Sequence, residues 1–306
     1  MRGTTWRDLG ELIRSARLAG PLPNLRRLTA FVTAFEQAVA PIAERVGQRR
    51  SLDDAVCDGC VKLCLMLTAY ATTAGVPFRA DLAVLGGAVA RVYDDLVDAT
   101  GTDDADGRIA ALFGGAAVRP GTGQERLLHE LYRELERRLN RDRTDPVYAA
   151  LRCLHTFQVR SRLQHDLAIG ARALAEITAA KGGYAMVVLA GLMHPAMTDR
   201  QINVVWELGG ALQLLDDYLD AVADRRAGIT TAATRGQSSL ADVCRRLRAI
   251  RPALRSCFGR DQPLSGLLYL HLWLAFLKCR TPGWPARYRP FRVVIRVLRR
   301  RVRRPD

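Results

Sequence analysis

The chain has 306 residues, 49% of them hydrophobic, and no linker-like stretch divides it, so one large domain is expected rather than two average ones. Basic residues exceed acidic ones, 46 − 31 = +15, and nearly all the excess is Arg, because Lys62, Lys181 and Lys278 are the only lysines. The excess is concentrated between Arg280 and Asp306, with ten Arg and a single acid, and no nucleic-acid-binding module accompanies it, which argues against a nucleic-acid partner.

The first twenty residues are interrupted by Arg7, Asp8, Glu11, Arg14 and Arg17 and lack the apolar core of a signal peptide. No run approaches the length of a membrane span. Seven cysteines without an export signal point to reduced thiols and a cytoplasmic location.

Nearly every segment has a helical period and almost none alternates with period two, so the fold class is all-α. Helices are predicted over 4–19, 24–48, 52–74, 79–99, 123–142, 146–180, 182–193, 199–225, 239–257 and 263–280. Cys57, Cys60 and Cys64 share one face of the third helix, a spacing that fits core packing or a metal cluster; with no fourth ligand nearby, core packing is expected. Gly75-Val76-Pro77 ends that helix. The next begins apolar all round, Val84-Leu85-Gly86-Gly87-Ala88-Val89-Ala90, and then carries Asp94-Asp95-Leu96-Val97-Asp98.

The glycine-rich stretch from Thr100 to Gly123 reads either as a mobile loop at a site mouth or as a plain surface connection. Asp145-Pro146 starts a helix, and Thr198-Asp199-Arg200-Gln201 has the spacing of a capping box. The helix that follows is again apolar over 208–215 before Asp216-Asp217-Tyr218-Leu219-Asp220.

Residues four apart on a helix lie about 40° apart around its axis, so Asp94 and Asp98 form one stripe and Asp216, Asp220 and Asp224 another. Solvated faces paired with Arg are the usual fate of such charges. The apolar flanks favour the other reading, two carboxylate rows lining an internal cavity. Bare carboxylates there need cations, and oxygen ligands of this kind suit Mg²⁺, which keeps waters and bridges to phosphate oxygens.

The second motif, Gly209-Gly210-Ala211-Leu212-Gln213-Leu214-Leu215-Asp216-Asp217-Tyr218-Leu219-Asp220, resembles that of the trans-isoprenyl diphosphate synthases and class I terpene synthases, which have Phe where Leu212 stands. Ile177 to Gly183 is similar to their lysine segment. The resemblance covers roughly residues 79 to 231. It implies a single antiparallel bundle over 1–280 around a deep apolar pocket, followed by an Arg-rich tail over 281–306. It implies metal ligation by Asp94, Asp95, Asp98, Asp216 and Asp220, with three Mg²⁺ ions. It also implies diphosphate contacts from Lys181, Gln213, Arg225 and Arg226, a prenyl chain lying past Ala90 and Gly86, and a homodimer.

Chain-elongating members of that family need a second basic cluster for isopentenyl diphosphate. Where they place an Arg pair after the first motif, this chain has Thr102-Asp103-Asp104, and of their early basic segment only Arg49-Arg50 remains. The resemblance therefore implies a terpene cyclase that ionises one prenyl diphosphate, with chain elongation as the alternative. The resemblance also implies that the small residues before Asp94 leave room for longer prenyl chains, and hence a C20 substrate. Phe157, Tyr184, Trp206 and Tyr218 are candidate ring faces for a cation, or plain core.

In the tail, Phe291, Val294, Ile295, Leu298 and Val302 share one face of a short helix that also carries Arg292, Arg296, Arg299, Arg300, Arg301 and Arg303. Three readings stand: peripheral contact with an anionic membrane, closure over the active site, or a solvated tail.

Overall fold

The computed structural model describes residues 5–20, 25–100, 103–280 and 290–303, and among these there is no β-strand. The described residues form thirteen α-helices in chain order: α1 Trp6–Arg14, α2 Leu28–Ala38, α3 Ala40–Arg45, α4 Asp54–Ala74, α5 Ala80–Thr100, α6 Asp103–Gly114, α7 Gly123–Leu139, α8 Pro146–Arg160, α9 Ala171–Met193, α10 Asp199–Ala227, α11 Leu240–Phe258, α12 Leu264–Arg280 and α13 Pro290–Val302. The all-α expectation holds.

Local chemistry sets the ends. Asp53 accepts from the Ala55 and Val56 amides to start α4, and Gly75 at φ 71° ends it in the left-handed conformation that favours glycine. Asp145 caps α8 with Pro146 in its first turn. Thr198 and Gln201 cap α10 reciprocally, and Gly228 at φ 71° terminates it.

α5 is the central helix. It packs against α2, α4, α7 and α9, and Leu82 to Val89 are all buried. α9 and α10 form the most extensive helix pair, and Gly182, Gly183, Gly209 and Gly210 lie at their crossing. Cys57, Cys60 and Cys64 are buried on α4, where burial pushes the Cys57 thiol up to about 12. By length and composition alone α4 and α9 are apolar enough to cross a bilayer, contrary to the reading by runs. Both are interior helices of the bundle, each packed against α5.

Several boundaries depart from expectation. The segment over 146–180 is not one helix: it breaks into a 3-10 turn at Ser161–His165 and restarts at Ala171. The break expected at Lys181 is absent, because α9 runs through Gly182 and Gly183. The segment over 24–48 divides at Val39, ahead of Pro41. The stretch after Thr100 contains α6, which buries Ala105, Ile109, Leu112 and Phe113.

α13 forms as a helix and packs against α2 and α4, with Ile295 fully buried in the main core. The tail boundary at 281 and the Phe291 side chain lie outside what is described.

Candidate active site

α5, α8, α9 and α10 enclose a cavity of about 450 Å³. Its floor and walls are aliphatic: Gly86, Val89 and Ala90 from α5, Leu151 and Leu154 from α8, and Ala185, Val188, Leu189 and Leu192 from α9. The side toward α6 and α7 is aromatic, formed by Tyr93, Phe113 and Tyr132, with ring centroids 5.5 Å apart for Tyr93–Phe113 and 5.1 Å for Phe113–Tyr132. Solvent reaches the opposite end, where the carboxylates stand.

Asp94 and Asp98 from α5 line this cavity together with Asp216, Asp217, Asp220 and Asp224 from α10. The two helices thus contribute the facing rows that the spacing predicts. Lys181 of α9 lines the same wall, and its Nζ donates to Ser161 Oγ at 3.5 Å. Burial holds the Asp94 carboxyl up to about 7, partly offset by Lys181. Asp94 is nonetheless open to water along the cavity side; the protein packed around that wall is what disfavours its charge. Burial, then Asp220 and Asp217, raise Asp216 to about 6, and burial with the same two neighbours raises Asp224 to about 6.

Asp217 is the buried member of the second row. Gln213 Nε2 donates to its Oδ1 at 3.0 Å and Thr178 Oγ1 to its Oδ2 at 3.2 Å, while burial raises its pKa. Gln213 therefore orients a carboxylate as well as lining the cavity. Six carboxylates against Lys181 and Arg91 leave the wall strongly acidic.

Among the described residues no three such groups converge tightly enough to cage an ion unaided. A cation that keeps its waters and shares positions with phosphate oxygens needs only one or two carboxylates. Facing, hard-oxygen, under-compensated rows fit Mg²⁺ on those terms.

Three expected site residues are not brought to the cavity. Asp95 turns aside, and Arg91 Nη2 pairs with its Oδ1 at 2.6 Å. Arg225 points behind α10, donating from Nε to the Thr234 carbonyl at 3.2 Å, and Arg226 is exposed. Arg49 pairs with Glu44 at 2.8 Å in a separate surface depression. Gly86, Ala90, Lys181 and Gln213 all line the cavity.

The expected ring faces are also elsewhere. Phe157 stacks on Tyr184, which meets Trp206 edge-on, and none of the three lines the cavity; Tyr218 faces a second depression behind α10. Sequence reasoning missed Tyr93, Phe113 and Tyr132. Tyr93 follows Gly86, Val89 and Ala90 at helical spacing on the cavity side of α5, one signal that could have found it. Tyr93 is fixed further: His155 Nε2 donates to the Asp106 carbonyl at 3.1 Å, so its Nδ1 must accept from Tyr93 Oη, at 3.0 Å.

At the rim, Gln164 Nε2 donates to the Thr230 carbonyl at 3.2 Å, and the Thr230 amide donates to the Gln164 carbonyl at 2.6 Å. Arg162 adds a two-pronged pair with Asp106. These bonds join the α8–α9 turn to the loop after α10 and to α6.

No known family model matches the chain, and no curated protein matches it. Among solved structures the chain is similar to the geranylgeranyl pyrophosphate synthase of Lactobacillus brevis ATCC 367, at 15% identity over 96% of each chain with a TM-score of 0.37. A likeness that remote carries no assignment, and the function has to be read from the cavity.

Proposed function

We propose that this protein is a Mg²⁺-dependent class I terpene synthase that ionises a linear prenyl diphosphate, of C20 length, and lets the cation cyclise. The supporting observation is the pair of aspartate rows facing each other over an apolar floor, with Lys181 beside them and no second basic cluster on the described cavity wall. Bound Mg²⁺ would neutralise the leaving diphosphate and so favour its departure.

The chain's own residues do the rest. Asp94, Asp98, Asp216, Asp220 and Asp224 would hold the cations, with Asp217 kept in orientation by Gln213 and Thr178. Lys181 offers its ammonium to a diphosphate oxygen. Val89, Ala90, Val188, Leu189 and Leu192 exclude water and fold the prenyl chain. Tyr93, Phe113 and Tyr132 present ring faces to positive charge, worth about 1–2 kcal/mol each when desolvated.

The rival is chain elongation with isopentenyl diphosphate. Incubating the protein with Mg²⁺ and C10, C15, C20 and C25 prenyl diphosphates, each with and without isopentenyl diphosphate, separates the two. Hydrocarbons or terpene alcohols formed without isopentenyl diphosphate support the cyclase. Longer diphosphates formed only in its presence overturn it.

A further inference from the structure

α13 has no acidic residue between Pro290 and Val302, yet its two sides differ in kind. The inner side is pinned to α2 and α4. Arg299 is buried, pairs with Glu36 and with Asp54, and donates from Nη2 to the Leu52 carbonyl at 3.0 Å. Arg296 Nε donates to Asp54 at 2.7 Å and Arg303 Nε to Glu36 at 2.8 Å. Those arginines are neutralised by the protein itself, and Ile295 is 0% exposed between them.

The outer side is aliphatic and basic at once. Val293, Val294 and Val297 are 59%, 45% and 58% exposed. Spaced i, i+1 and i+4, they cluster on the sector that also carries Arg300 and Arg301, which form no ion pair among the described residues. This is not the face that the sequence pattern indicated: Ile295, Leu298 and Val302 turn inward.

The position matters too. α4 and α5 are each 21 residues long and joined by a short turn, so the start of α4 lies level with the end of α5 that carries Asp94 and Asp98. Arg296 and Arg299 clasp Asp54, the first residue of α4. α13 therefore lies at the end of the bundle where the carboxylates open to solvent.

We propose that the outer face of α13 docks on an anionic lipid bilayer, with Val293, Val294 and Val297 entering the headgroup boundary and Arg300 and Arg301 meeting lipid phosphates. A nucleic acid would engage the arginines and leave the valines in water. A bilayer takes both. The docking is independent of which reaction the cavity performs, and it is measured without turnover.

The test is flotation of the full chain with vesicles of phosphatidylglycerol and phosphatidylcholine in equal parts, against phosphatidylcholine alone. The protein should float with the anionic vesicles only, and less as salt rises. Replacing Arg300 and Arg301 by Ser should weaken partition by about thirtyfold, two interfacial charges being lost. The pair Val293→Asp and Val297→Asp should abolish it, with thermal melts unchanged because both sites are exposed. A Val297→Trp reporter should be quenched by brominated lipid. Equal binding to both vesicle types, flotation retained in both double variants, or retention on DNA without flotation overturns the proposal.

Discussion

Gly182 and Gly209 bring the backbones of α9 and α10 into direct contact: a Cβ on either would fall inside the van der Waals envelope of the other's carbonyl oxygen. Lys181 immediately precedes the first, and Gln213, Asp216 and Asp217 follow the second within about two helical turns. The crossing thus sets the reach between the lysine and the second carboxylate row.

Gly209→Ala or Gly182→Ala should destabilise the protein by about 1–3 kcal/mol, because backbone rather than a flexible side chain stands in the way. Urea unfolding measures it. Each variant should also lower turnover, since separating the helices moves Lys181 from Asp216. An unchanged urea midpoint in both would mean the helices are not in such close contact.

The aspartates divide by orientation. Asp94→Ala and Asp216→Ala should each cut turnover by about a hundredfold or more while the protein stays folded. Asp95→Ala should be far milder, because Asp95 does not line the cavity and is already paired with Arg91. Equal losses at Asp94 and Asp95, assayed side by side, would put Asp95 back among the ligands.

Acid should weaken Mg²⁺ binding. A carboxylate must be deprotonated to bind the ion, and Asp94 titrates at about 7 and Asp216 at about 6. In the metal-free protein a raised carboxyl pKa favours the folded state at low pH. The contribution from Asp94 is complete below its ordinary 3.8 and is lost as the pH climbs to about 7. The rise in melting temperature on adding Mg²⁺ should therefore be large at pH 8 and small at pH 5.5. A pH-independent rise would detach the ion from these residues.

Chain length should respond at the cavity floor. A Cβ on Gly86 would lie 2.5 Å from Leu192 Cδ1, so Gly86→Phe meets a wall and Ala90→Phe fills the channel above it. Both should shorten the longest prenyl diphosphate accepted, and Leu192→Ala should lengthen it. Competition among C15, C20 and C25 substrates reads the shift. Melting curves come first, since overpacking can cost about 1–3 kcal/mol.

Removing the buried guanidinium should cost stability. Arg299→Met takes one partner from Glu36 and Asp54, which keep Arg303 and Arg296, and leaves the Leu52 carbonyl without its donor, a loss of about 1–3 kcal/mol. Thermal and urea unfolding would register it. A neutral result would mean that α13 contributes nothing to the stability of the bundle.

The carboxylate rows were legible because helical spacing alone puts Asp94 with Asp98, and Asp216 with Asp220 and Asp224, on common stripes. The capping box at Thr198 and the helix end at Gly75-Val76-Pro77 were legible for equally local reasons. Asp95 and Arg225 were not, because their direction depends on Arg91 and on the fold of the loop around Thr234. α6 was hidden by Gly107 and Gly114, which Ala105, Ile109, Leu112 and Phe113 outweigh once α8 is there to cover them. The break after Arg160 was hidden by apolar residues that keep a helical rhythm through it; the pairing of Gln164 with Thr230 becomes visible only across 66 residues of chain.

That pairing makes α9, α10 and the turns at their ends a closed ring, cinched at Gln164 and Thr230 by two hydrogen bonds. Lys181 and the whole second row ride on this ring. Neither turn can swing outward alone, so hydrogen exchange at both ends of it should report one opening event, a single cooperative unit in which the diphosphate anchor is kept or lost as a whole.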